Sequence, residues 1–78
     1  MKKRNLLNVL AQQDDLDTAV VGQRLRCTRS AAGMLLMRLT RQGLVQRAFD
    51  PDDRIYFYNL TAKGRARLAY LTKMATAR

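Results

Sequence analysis

Apolar residues recur along this chain first at helical spacing, then at alternate positions, then at helical spacing again. Between Lys3 and Gln13, Leu6, Leu7 and Leu10 share one face, which predicts a helix with a single buried side. The polar run Gln13-Asp14-Asp15 ends it, and Leu16 stands alone after it. Asp17 is a good N-cap for a short second helix in which Val21 and Leu25, four residues apart, lie on the same face. Gly22 inside that helix costs about 1 kcal/mol relative to Ala, a cost that a second helix crossing closely would justify. After the short turn Arg26-Cys27, Thr28 is the N-cap of a third helix from Arg29 to about Gln42. Its buried stripe is Leu35, Leu36 and Leu39, with Ala32 one turn earlier, and Gly43 stops it.

Beyond Gly43 the period changes. Leu44 to Phe49 and Arg54 to Tyr58 have strand character, the second through its β-branched and aromatic content. The intervening Asp50-Pro51-Asp52-Asp53 is turn chemistry, because Pro presets φ and Asp side chains bond back to the local backbone. Thr61 then caps a last helix from Ala62 to about Ala75, with Leu68, Leu71 and Met74 or Ala75 on one face. The predicted fold is mostly α with a small β-hairpin. It is a winged helix-turn-helix with a three-helix core, a wing and a C-terminal helix, in one domain spanning 1–78. A basic arm at 1–4 precedes the helix-turn-helix at about 17–42, the wing at about 44–60 and the last helix at about 62–76.

Composition narrows the chemistry. The chain has no His and one Cys, Cys27, so it lacks the ligands of a zinc site and the imidazole of a catalytic triad. Cys27 is read as a small buried hydrophobe rather than a reactive thiol. No catalytic, cofactor-binding or metal-ligating residue is expected, and no enzyme activity. No apolar run approaches the roughly 20 residues of a membrane span. The opening MKKRNLLNVLAQQDD starts like a signal peptide, but its apolar part is short and holds Asn8, so a cytoplasmic helix is expected. The 15 Lys and Arg against 6 acids give a net charge of +9 and point to an anionic partner, first of all nucleic acid. Every acid is Asp, and Asp50, Asp52 and Asp53 crowd into the predicted hairpin turn beside Arg54. That cluster lacks the Gly and distal Glu of a calcium loop.

The run from Val20 to Leu68 resembles the winged-helix core of the MarR (multiple antibiotic resistance regulator) family of bacterial transcription regulators. GQRLRCTRS is similar to the family's Ala-Glu-Arg-Leu-Gly-Val-Ser-Arg-Ser turn. LTRQGLVQR matches the end of the recognition helix and the start of the wing, and DPDDR followed by LTAKG resembles the wing and exit helix. The resemblance implies a small bacterial, plasmid or phage transcriptional regulator that binds double-stranded DNA. The third helix would enter the major groove, and the wing tip, through Arg54, the minor groove. The Asp side chains would close the hairpin and hold the Arg54 guanidinium by charge-assisted bonds. Arg29, Ser30 and Thr28 at the start of the third helix would sit near phosphates or base edges. Arg38 and Arg41 lie on its later turns. Arg26 and Arg24 could reach the backbone, as could Lys63, Arg65 and Arg67 on the exit helix and Lys2, Lys3 and Arg4 in the arm.

Two departures shape the expectation. Where the family has polar residues on the recognition helix, this chain has Ala31, Gly33 and Met34, which cannot hydrogen-bond a base. Weak base readout follows, or else the apolar face of Ala31, Gly33, Met34 and Met37 docks a second protein, which is the alternative function. The family also dimerises through helices outside this core. A homodimer through Leu68, Leu71 and Met74 of the last helix is expected, unless that face packs on the first helix of its own chain.

Overall fold

A computed structural model describes residues 3–76. Its elements are α1 (Lys3–Gln12), α2 (Thr18–Leu25), α3 (Arg29–Arg41), β1 (Val45–Asp50), β2 (Ile55–Leu60) and α4 (Ala62–Thr76). This is the winged helix-turn-helix order. Lys3 and Arg4 belong to the first turn of α1 rather than to an arm at 1–4, while Lys2 lies outside the described residues.

The caps act where local chemistry places them. Asp17 accepts the Val20 N–H at 2.8 Å and Thr28 accepts the Ala31 N–H at 3.1 Å. The Thr61 hydroxyl accepts the Gly64 N–H at 3.0 Å and donates to the Gly43 carbonyl at 2.7 Å, so one side chain starts α4 and ties it to the end of α3. Gly43 follows α3 at φ 76°, a left-handed position that suits Gly. Gly22 is hemmed in by the turn that follows α2 and by the start of α3, at Thr28 and Arg29. A Cβ there would lie 3.2 Å from the Cys27 carbonyl oxygen.

Leu6, Leu7 and Leu10 of α1, Val21 of α2, and Ala32, Leu36 and Leu39 of α3 pack into one buried cluster. Leu44, Val45, Tyr58 and Leu60 close it from the wing side, and no charged or polar residue is buried among the described residues. Leu35 and Leu25 lie only partly buried at its margin. Leu68 and Leu71 of α4 also rest against it, so those two expected dimer residues pack largely within their own chain. Met74 stays 57% exposed, next to an exposed Tyr70.

The hairpin pairs Val45 with Leu60, Arg47 with Tyr58 and Phe49 with Tyr56 in antiparallel register. β2 runs two residues further toward α4 than its composition suggested, to Leu60, while β1 is shifted by one residue toward the tip. Leu16, isolated in sequence, adds a short third rung. Its N–H and carbonyl bond Tyr58 at 3.4 and 2.9 Å, and its side chain is buried. At the tip, Asp50 accepts the Asp52 N–H at 2.9 Å and closes the turn as expected. The Arg54 guanidinium is not held by the Asp side chains, since no ion pair or hydrogen bond involves it. The Asp50 carboxylate is engaged by the Asp52 backbone N–H, and Arg54 takes a left-handed φ of 54° at the exposed tip.

Candidate nucleic-acid interface

Alternation along the hairpin sets the site. Val45, Arg47 and Phe49 share a face with their partners Leu60, Tyr58 and Tyr56. The base of that face is buried in the core, and its outer part emerges beside α3. Between the two lies an open groove lined by Ser30, Gly33, Met34, Met37, Arg38 and Arg41 from α3, with Arg47 and Tyr58 from the wing. No acid lines it. The six Asp residues are confined to the loop before α2 (Asp14, Asp15, Asp17) and the wing tip (Asp50, Asp52, Asp53). Charge is therefore sorted by position, which leaves the α3 side uniformly cationic.

The structure thus brings Ser30, Arg38 and Arg41 together. Thr28, Arg29 and Arg26 are exposed at the N-terminal end of α3, outside the groove lining. Helix polarity and unpaired first-turn N–H groups make that end attractive to anions. Arg54 stands apart at the wing tip, exposed. Lys63 is elsewhere. Its ammonium donates to the Gln42 carbonyl at 3.0 Å, capping α3, in a second basic hollow with Lys3, Arg41 and Arg67. Arg24 is also engaged, donating to the Gln13 side chain at 2.6 Å.

Arg47 was not singled out in the sequence, yet it sits at the centre of the arrangement. Its guanidinium lies 4.2 Å from the Tyr56 ring centroid and donates to the Met37 sulfur at 3.3 Å. The Tyr56 ring in turn meets Phe49 at 5.1 Å between centroids. Stacking of this kind fixes a guanidinium while leaving its edge N–H groups free for an anion. The signal that could have found it is the strand period, which puts Arg47 on the face of the buried Val45. Among the described residues no three His, Cys, Asp or Glu side chains gather as metal ligands, and no helix is long and apolar enough to cross a membrane.

A helix-turn-helix whose second helix faces a basic groove, flanked by a wing, defines the winged-helix DNA-binding class. The chain belongs to that family: the model for the winged helix DNA-binding domain matches residues 2–64. No curated protein matches it. Solved structures do. The transcriptional repressor CouR, bound to a 23-mer DNA duplex, is 30% identical with a TM-score of 0.87 over 95% of this chain and 54% of its own. The PcaV regulator of Streptomyces coelicolor, in complex with its natural ligand, is 29% identical with a TM-score of 0.74, covering 99% and 62%. FabT of Streptococcus pneumoniae, in complex with DNA, shares the fold at 24% identity and a TM-score of 0.85, covering 99% and 55%. These neighbours are MarR-family regulators, as the turn, wing and exit-helix motifs implied. The chain spans little more than half the length of most of them.

Proposed function

We propose that this chain is a transcriptional regulator of bacterial, plasmid or phage type that reads the DNA major groove with α3 and the minor groove with the wing tip. It works in the cytoplasm, as a homodimer, without enzymatic activity of its own. The observation that carries this is the acid-free groove in which Arg38 and Arg41 of α3 face Arg47 of the wing. Three guanidiniums on two elements at one open surface suit a polyanion that spans both. Thr28, Arg29, Ser30 and Arg26 then meet the duplex at the N-terminal end of α3, and Arg54 enters an adjacent minor groove. Lys63 serves mainly as the cap of α3, with its charge added to the field around the site.

The test is a fluorescence anisotropy titration of labelled duplex over a salt series. About six phosphate contacts predict a loss of about 10³-fold in affinity between 50 and 200 mM salt. Arg54→Ala should weaken binding most on A·T-rich duplexes, whose narrow minor groove has the deeper negative potential. Equal affinities for the wild type and Arg54→Ala would remove the wing-tip assignment.

A second reading has its own observation. Met34 is 70% exposed on the outward face of α3, beside Gly33 and Met37, where a base-reading helix would carry polar groups. Such a face suits a protein partner that docks on α3.

A further inference from the structure

The outer end of the wing carries two aromatic rings that lie outside the core. Phe49 and Tyr56 face each other across the hairpin, with ring centroids 5.1 Å apart and planes tilted by 58°. They remain 52% and 42% exposed, whereas Tyr58, two residues nearer the core on the same strand, is buried. A cross-strand aromatic pair steadies a hairpin, but that role does not need the pair to stand half in water. Strand alternation sets both rings on the face that carries Arg47 and puts Asp50 on the opposite face. The rings are therefore next after Arg47 along the wing side of the acid-free groove.

Arg47 covers one side of this pair. Its guanidinium lies over the Tyr56 ring, 4.2 Å from the centroid, and is held there by the Met37 sulfur. Phe49, whose only ring contact among the described residues is with Tyr56, keeps an open side. A flat apolar ring beside fixed cations suits an unpaired nucleotide. Its phosphate is drawn to the guanidiniums, and its base stacks on the ring whatever its identity, because every base has a π-face. A base inside a duplex already has both faces stacked on its neighbours. We propose that the wing binds single-stranded nucleic acid, with an unpaired base stacked on Phe49, Tyr56 backing that ring, and the phosphates running along Arg47, Arg41 and Arg38. Asp52 and Asp53, exposed at the tip, repel phosphate, so the strand backbone keeps to the α3 side and only a base reaches over Phe49. The proposal shares the cationic groove with the duplex reading but goes beyond it, to a different form of ligand and a ring that reading leaves unused.

The test is a set of anisotropy titrations with short labelled strands of thymidine, of uridine and of abasic residues, and with a duplex. The wild type should bind the thymidine strand about tenfold more tightly than the abasic strand, which has the phosphates but no bases. Phe49→Leu keeps an apolar side chain in the hairpin. It should lose that factor on the thymidine strand, yet bind the abasic strand and the duplex as the wild type does. A 2-aminopurine placed in the thymidine strand should be quenched on binding the wild type and less so on binding Phe49→Leu. Either the thymidine or the uridine strand bound in this base-dependent way supports the proposal, and the tighter of the two names DNA or RNA as the source. If the wild type binds all three strands equally, no base is stacked and the proposal is overturned, whether or not the variant folds. Equal losses by Phe49→Leu on the thymidine and abasic strands would overturn it too, since the ring then acts only through the hairpin. Base-independent strand binding beside intact duplex binding removes this proposal alone, whereas base-dependent strand binding without duplex binding removes the duplex reading alone.

Discussion

Gly64 and Gly33 both sit in helices and carry opposite expectations. A Cβ on Gly64 would overlap the Leu44 carbonyl oxygen, which already accepts the Thr61 N–H at 3.1 Å. Neither backbone can yield without breaking the junction between α4 and the wing. Gly64→Ala should therefore destabilise the protein by about 3 kcal/mol or more, read as a lower urea midpoint. Gly33 meets only the Thr18 methyl, at an ordinary 3.7 Å. Gly33→Ala should add up to about 1 kcal/mol of stability through helix propensity. If it also weakens DNA binding, the close approach of the α3 backbone to the duplex is the reason, since nothing else in the protein is disturbed. Capping residues such as Asp17, Thr28 and Thr61 were legible in sequence because their partners lie within three residues. The importance of Gly64 was not, because its neighbour is Leu44, across the hairpin.

In the proposed mode of DNA binding, α3 is the element that would set specificity. Its buried stripe was legible from periodicity, and so by subtraction was its outward face. Under the proposed reading Arg29 and Ser30 would reach bases at the helix start, while Gly33 and Met34 offer no hydrogen bond to one. Arg29→Ala should lower affinity and relax preference at one base position, by about 1–3 kcal/mol if the arginine pairs with a guanine. Met34→Ala should leave DNA affinity within error of the wild type in the same titration. Loss of function in the cell with DNA binding intact would favour the protein-docking face instead. The wing was legible as a hairpin, but its working face was not. Which strand residues look toward α3 depends on how the hairpin seats on the core, and that seating brings Arg47 to Met37 and Tyr56.

Across the whole molecule, charge and apolar surface are segregated. Cations dominate the α3 side, and the acids are confined to two loops. On α4, Leu68 and Leu71 turn inward, whereas Tyr70 at 58% and Met74 at 57% exposure remain on the outside. A two-fold pairing of α4 through these residues would cover them and set two α3 helices on one duplex. Sedimentation equilibrium should then report a dimer at high micromolar concentration, and Met74→Lys should shift it toward monomer. A monomer for the wild type throughout that range would remove the α4 interface and leave each chain to bind alone, with weak discrimination between sites.

Local chemistry along the chain sets the order of elements, the caps of α2, α3 and α4, the helix-turn-helix with its wing, and the net charge of +9. Each of these rests on short-range chemistry: spacing on a helix, alternation on a strand, a cap three residues from its partner, a sum of charges. Tertiary structure alone decided that Leu16 joins the sheet, that Lys63 caps α3 rather than lining its groove, that Arg47 completes that groove, and that Arg54 is free of its Asp neighbours. The first three depend on contacts between residues far apart in the chain, which packing of the leucine core brings together because it fixes which side chains are left to meet.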